Sequence, residues 1–202
     1  MAIDRPLRPE EQALRSAVRF VCVANLGYFC VEFGIAIAIS SVALFADSID
    51  FLEDASVNFL ILVALGWSLI ARARVGMVLA ALLLIPGLAT VWMAWHKFLS
   101  PVPPAAVSLS VTALGAMAVN LCCSLVLARH RKHGGSLAKA AFLSARNDVV
   151  ANAAIIVAGL LTAYFSSAWP DLITGIGIAA LNAGAAREVW EAARSEHREA
   201  RA

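Results

Sequence analysis

Long apolar stretches separated by short polar intervals organise this chain. Crossing a bilayer takes about 20 apolar residues at ~1.5 Å rise each, and residues 19–39, 42–70, 75–95, 105–127, 137–162 and 171–189 meet that requirement. The pattern predicts an all-α membrane protein of six transmembrane helices. Residues 1–18 form a polar N-terminal arm, 19–189 one transmembrane domain and 190–202 a short tail. The third span is almost purely apolar, with Pro86 and Gly87 as an expected kink. The sixth offers Gly175, Gly177, Ala180 and Gly184, small residues that permit close helix approach.

Polar residues inside the spans fall into stripes. At about 100° per residue, Asp47, Asp50, Asp54 and Asn58 share one narrow face of the second helix, with Glu53 at its edge. Asn25, Tyr28 and Glu32 make a similar stripe on the first, and Asn120 and Ser124 mark the fourth. Ser144, Asn147, Asp148 and Asn152 occupy one broad face of the fifth. A lipid-facing carboxylate costs at least ~2.5 to 3.5 kcal/mol, so the stripes are expected to face inward. Spans 1, 2, 4 and 5 then form a four-helix polar core, with spans 3 and 6 packed beside it.

Composition supports the membrane class: the 202 residues are 61% hydrophobic and 15% charged, with mean hydropathy +0.79. The arm carries Glu10 and Glu11 and no small-residue cleavage site, so the first span is expected to stay. Basic residues crowd alternate connections: Arg5, Arg8, Arg15 and Arg19; Arg72 and Arg74; Arg129, Arg131, Lys132 and Lys139; Arg187, Arg194, Arg198 and Arg201. The other connections offer Lys97 alone, which places both termini in the cytosol. With the arginines so explained, the net charge of +2 gives no reason to invoke nucleic acid. Lipid headgroups are their expected partners. Cys22, Cys30, Cys122 and Cys123 lie inside spans and read as small apolar filling, not as a disulfide framework or a thiolate site.

Asp54 and Asp148 each sit within about half a turn of the centre of their spans, so they can meet at one depth. Carboxylate oxygens bind a borderline divalent cation at ~2.0 to 2.2 Å, and Asp50 with Asp54 puts two donors on one helix face. Asp148 closes the set from the fifth helix, with Ser144 as a weak fourth donor. Ligating carboxylates must be deprotonated, so metal entry expels protons and the reverse. With the ligands near the midplane of rocking helix groups, a proton gradient could drive metal outward. Glu32, Asp47 and Asn147 are candidates to support the ligands or relay protons.

Other readings compete. Protonated acids could serve as interhelical glue at ~0.6 kcal/mol per contact, although glue does not need several acids on one face. Two carboxylates on neighbouring helices also suit an intramembrane aspartyl hydrolase, but no accompanying motif is present, and no enzyme is expected. Arg146 lies about 160° from Ser144 and Asp148 and should snorkel toward headgroups. His130 and His133 belong to a solvated basic connection.

The segment Val31-Glu32-Phe33-Gly34, followed by Ser41-Val-Ala-Leu-Phe-Ala-Asp47-Ser-Ile-Asp50-Phe-Leu-Glu-Asp54, resembles the first two helices of the cation diffusion facilitator family of divalent metal/proton antiporters. Asp50 and Asp54 fall on its metal motif of His or Asp, three residues, then Asp. Residues 140–152 resemble the second copy, with Asp148 on its Asp and Ser144 where His or Asp is usual. Trp169-Pro170-Asp171 is similar to the start of the sixth helix. The resemblance implies a multi-pass efflux transporter, expected in a bacterial inner membrane, with no prosthetic group and with metal ions and protons as substrates. Zinc is the expected cargo, and Ser144 brings manganese, iron, cobalt and cadmium into range. The short tail implies a form without the family's cytosolic C-terminal domain, so a homodimer would have to form through membrane helices. A non-transporting subunit paired with a full-length relative is the alternative.

Overall fold

Helices account for the regular structure throughout the described residues, with no strand among them. The computed structural model describes residues 9–64, 88–130 and 135–182, with side chains over 12–62, 88–129 and 147–182. Helix α1 is Pro9–Ile39, α2 Val42–Ala64, α3 residues 88–99, α4 Ala106–His130, α5 Gly135–Phe165 and α6 residues 169–182. The α1 helix starts before its apolar run because Pro9 suits a first turn, where no N–H partner is needed. The expected kink at Pro86 and Gly87 lies outside the described residues, as do Arg72, Arg74, His133 and the tail.

Packing follows the polar stripes. The α1 helix lies along α2 and α4 along α5, while α1 also meets α4 and α2 meets α5, forming the four-helix core. Ala36, Leu44, Ile49, Leu109, Ala113 and Ile155 fill its apolar centre. The α3 and α6 helices pack outside it, where Ala94 and Leu172 cover Val42. Gly175 makes that approach possible, since a Cβ there would stand 2.6 Å from the Val42 carbonyl carbon and 2.7 Å from the Ala43 nitrogen. Farther along, the Asn182 amide donates to the Ala46 carbonyl at 3.2 Å.

The surface is apolar where a soluble protein would be polar. Val107, Leu181 and Tyr164 are 78%, 71% and 82% exposed, whereas Asn25, Glu32, Asp47 and Asn152 are fully buried. Such inversion suits lipid, which leaves polar groups nowhere to go but inward. The segments Gln12–Ile39, Ala106–Arg129 and Asn147–Phe165 are long and apolar enough to cross a membrane. The α2 helix also has the length, at 23 residues, but carries four acids. Trp92, Trp95, Phe98, Tyr164, Phe165 and Trp169 gather at one end, with Phe98 and Trp169 edge to face at 5.9 Å. We call this the aromatic end, and it has the character of an interfacial belt.

The corner between α1 and α2 lies there and leaves no early N–H of α2 without a partner. Ser40 adopts φ 53°, the left-handed conformation that ends a helix. Its N–H donates to Ile37 at 3.2 Å and that of Ser41 to Ala36 at 2.9 Å, the paired bonds of a Schellman motif. Ser41 then caps α2, its hydroxyl accepting from the Leu44 N–H at 3.1 Å. The Val42 and Ala43 N–H groups donate to Asp171 of α6 at 3.0 and 3.2 Å, and the Ser41 hydroxyl donates to the same carboxylate at 2.5 Å. Lys97 of α3 completes the cluster by donating to Asp171 at 2.8 Å and to the Ser40 carbonyl at 2.6 Å. Ser41, Lys97 and Asp171 are all buried.

Replacing Gly175 with alanine should therefore lower thermal stability in detergent by about 1 to 3 kcal/mol, the usual cost of overpacking. Gly177 has open space around its Cβ position. Gly177→Ala should leave the melting temperature unchanged or raise it, by at most about 1 kcal/mol of helix propensity.

Candidate metal site

Three helices carry the interior acids. On α2, Asp47 is fully buried, and Asp50 and Asp54 are half-buried. The α1 helix contributes the fully buried Asn25 and Glu32, and α5 the half-buried Asp148 and fully buried Asn152. Asn120 and Ser124 of α4 are buried too, so the predicted stripes of α1, α2 and α4 face inward, and that of α5 does so at Asp148 and Asn152. Tyr28, on the same face of α1, donates to the Thr112 carbonyl of α4 at 2.6 Å.

The acids meet in two places. Asp54 and Asp148 come within hydrogen-bonding contact from α2 and α5, and Asp50 lies within electrostatic reach of both. Glu32 and Asp47 make a second acid-to-acid contact between α1 and α2. Each contact is a hydrogen bond only when one partner holds a proton. Two unit charges ~4 Å apart repel by about 4 kcal/mol at an effective dielectric of ~20. Fully ionised, both contacts would push the helices apart unless a cation or protons intervened.

Amides supply some of the donors. Asn25 Nδ2 reaches Asp54 Oδ2 at 3.4 Å, and Asn152 Nδ2 reaches Asp47 Oδ1 at 3.4 Å. Asn152 and Asn58 also bond one turn back, to the carbonyls of Asp148 at 2.9 Å and Asp54 at 2.8 Å. The Cys123 thiol donates to Asn25 Oδ1 at 3.6 Å. Among the described residues, both Glu32 oxygens, Asp47 Oδ2, Asn58 Oδ1 and Asn152 Oδ1 meet no donor. The interior is thus rich in oxygen acceptors, the chemistry a cation needs.

Of the expected ligands, Asp54 and Asp148 touch and Asp50 is beside them. Ser144 lies on α5 one turn before Asp148, and its side chain, like that of Arg146, is outside the described residues. Among the described residues, no three His, Cys, Asp or Glu side chains form a group able to hold a metal ion. Asn147 is exposed, and Asn152, nearer the angular position of Asp148, takes the interior place. His96 is exposed and meets the Trp92 ring at 4.7 Å, away from the acids. The four thiols are free, with only Cys123 fully enclosed.

Two charged residues escaped the sequence reading. Lys97 reads there as a topology signal and Asp171 as the start of a span, yet they form a buried ion pair. The available signal was a lone lysine on an otherwise apolar helix end, matched by an aspartate at the start of another. A family model described as the cation efflux transmembrane domain matches residues 18–195. No curated relative matches the sequence.

Proposed function

The chain belongs to the cation efflux family, and on that premise we propose that it exports a divalent transition metal from the cytosol in exchange for inward protons. Membership makes it an integral membrane transporter of metal cations. The finer reading takes zinc as first cargo, with manganese, iron, cobalt and cadmium as further candidates. Its ligands are Asp50, Asp54 and Asp148, with Ser144 as a weak oxygen donor. The topology is six spans with both termini cytosolic, in a bacterial inner membrane.

One observation carries this reading: Asp54 and Asp148 meet from separate helices inside an apolar-walled bundle. A divalent ion between them replaces repulsion by attraction, and Asp50 adds a third anionic oxygen donor one turn away. Because these donors must be deprotonated to ligate, binding metal releases protons. Glu32 and Asp47, in contact above the site, can hold a proton in exchange. Asn25 orients this shell by donating to Asp54 Oδ2, and Asn152 holds Asp47 beside it.

Reconstituted vesicles with an imposed pH gradient test the proposal. Wild type should accumulate zinc, and Asp148→Ala should transport at background level; equal uptake by both would defeat the ligand assignment. Ser144→His should shift preference toward zinc over manganese, since imidazole suits zinc better than a hydroxyl does. Asn25→Ala should weaken metal binding about 10- to 100-fold by calorimetry, the usual effect of losing a residue that orients a ligand.

Ser144, a weak neutral donor in place of His or Asp, favours a second reading, a non-transporting subunit that works with a full-length relative. Uptake into vesicles containing only this chain would exclude it.

A further inference from the structure

Asp171 lies outside the candidate site and carries its own set of donors. It receives the Val42 and Ala43 N–H groups, the Ser41 hydroxyl and the Lys97 ammonium. These partners come from the α1–α2 corner and from α3, while Asp171 itself opens α6. Lys97 adds a second tie by donating to the Ser40 carbonyl. One buried cluster thus joins three helix ends. Directly beneath it, Gly175 brings the α6 backbone against Val42 and Ala43.

We propose that Lys97 and Asp171 are positioning residues that keep the aromatic ends of α2, α3 and α6 joined throughout transport, making this end of α2 a fulcrum for its carboxylates. The inference rests on the transport reading above. At about 1.5 Å per residue, Asp47 lies about 7 Å from Val42 along α2 and Asp54 about 18 Å. A tilt of about 10° about Val42 would then move Asp47 by about 1 Å and Asp54 by about 3 Å, using the same rise. The far acid changes its distance to Asp148 while the near one keeps its neighbours. With both termini cytosolic, the joined ends lie on the outer side, so the outward path does not open between α2 and α6.

A reversible lock across the joint tests this. Val42→Cys and Leu172→Cys, in a background with the four native cysteines replaced, place one thiol on α2 and one on α6 within a single packed cluster. Oxidation of the reconstituted protein should form a disulfide and leave zinc flux within about twofold of the reduced sample. Loss of flux on oxidation with recovery on reduction would overturn the proposal, as would failure of the disulfide to form in the folded protein. Absence of flux even when reduced would defeat the transport reading, and the fulcrum with it. As a second measurement, Lys97→Met should lower the maximal rate per folded molecule at least fivefold, with the zinc KM within twofold of wild type. Lys97→Arg should restore most of that rate. A merely structural lysine would instead reduce the folded yield and leave the rate per folded molecule intact, which would also overturn the proposal.

Discussion

A charge taken out of water must be matched by another, and the interior of this bundle meets that demand in two opposite ways. Asp171 is matched once and for all: a lysine at 2.8 Å, a serine hydroxyl and two backbone N–H groups surround it. Breaking such a buried pair by removing one partner typically costs about 3 to 5 kcal/mol, which suits a fixed joint. The acids of α2 are matched differently. Asp54 faces Asp148 and Asp47 faces Glu32, so each contact sets an acceptor against an acceptor. Such contacts call for a mobile positive partner, and both a proton and a divalent metal qualify.

Both solutions occupy the same helix. The first turn of α2 is held by Ser41 and Asp171, and its acids begin at Asp47. With its acids confined to the inner faces, α2 depends on α1 and α5 to shield it from lipid. Those helices can afford this role because their outer faces are apolar, with Val31, Ile37, Val150 and Leu160 exposed. Polar interior and apolar exterior are thus one requirement: hydrocarbon satisfies no donor or acceptor, so every polar group must find its partner inside.

The helical period carried most of this in the sequence. Asp47, Asp50 and Asp54 recur at three and four residues, as do Asn25, Tyr28 and Glu32, and spacing of that kind fixes a shared face without tertiary information. The face it drew on the fifth helix was too broad, since Asn147, about 100° from Asp148 on the wheel, is exposed. What the period could not supply was contact between helices. Nothing local in Lys97 or Asp171 says that they meet across 74 positions, because their pairing depends on how α3 and α6 pack at the aromatic end. The ends of α1 and α3 were equally hidden. Apolar length measures the bilayer crossing, whereas hydrogen bonding lets a helix run on beyond it.

A helix fastened at one end and unbalanced at the other can convert occupancy into motion. At the fastened end of α2, Asp171 is already paired with Lys97 at 2.8 Å. About 18 Å away along the helix, a divalent ion at the proposed site would turn the force between Asp54 and Asp148 from repulsion to attraction. The repulsion at stake, about 4 kcal/mol for one ionised pair at ~4 Å, approaches the ~5.5 kcal/mol that carries a two-state equilibrium from 1:99 to 99:1. Asp50 adds to it from the adjacent turn. Electrostatics of this size, applied at the long arm of an anchored helix, is what the proposed exchange of metal for protons would draw on.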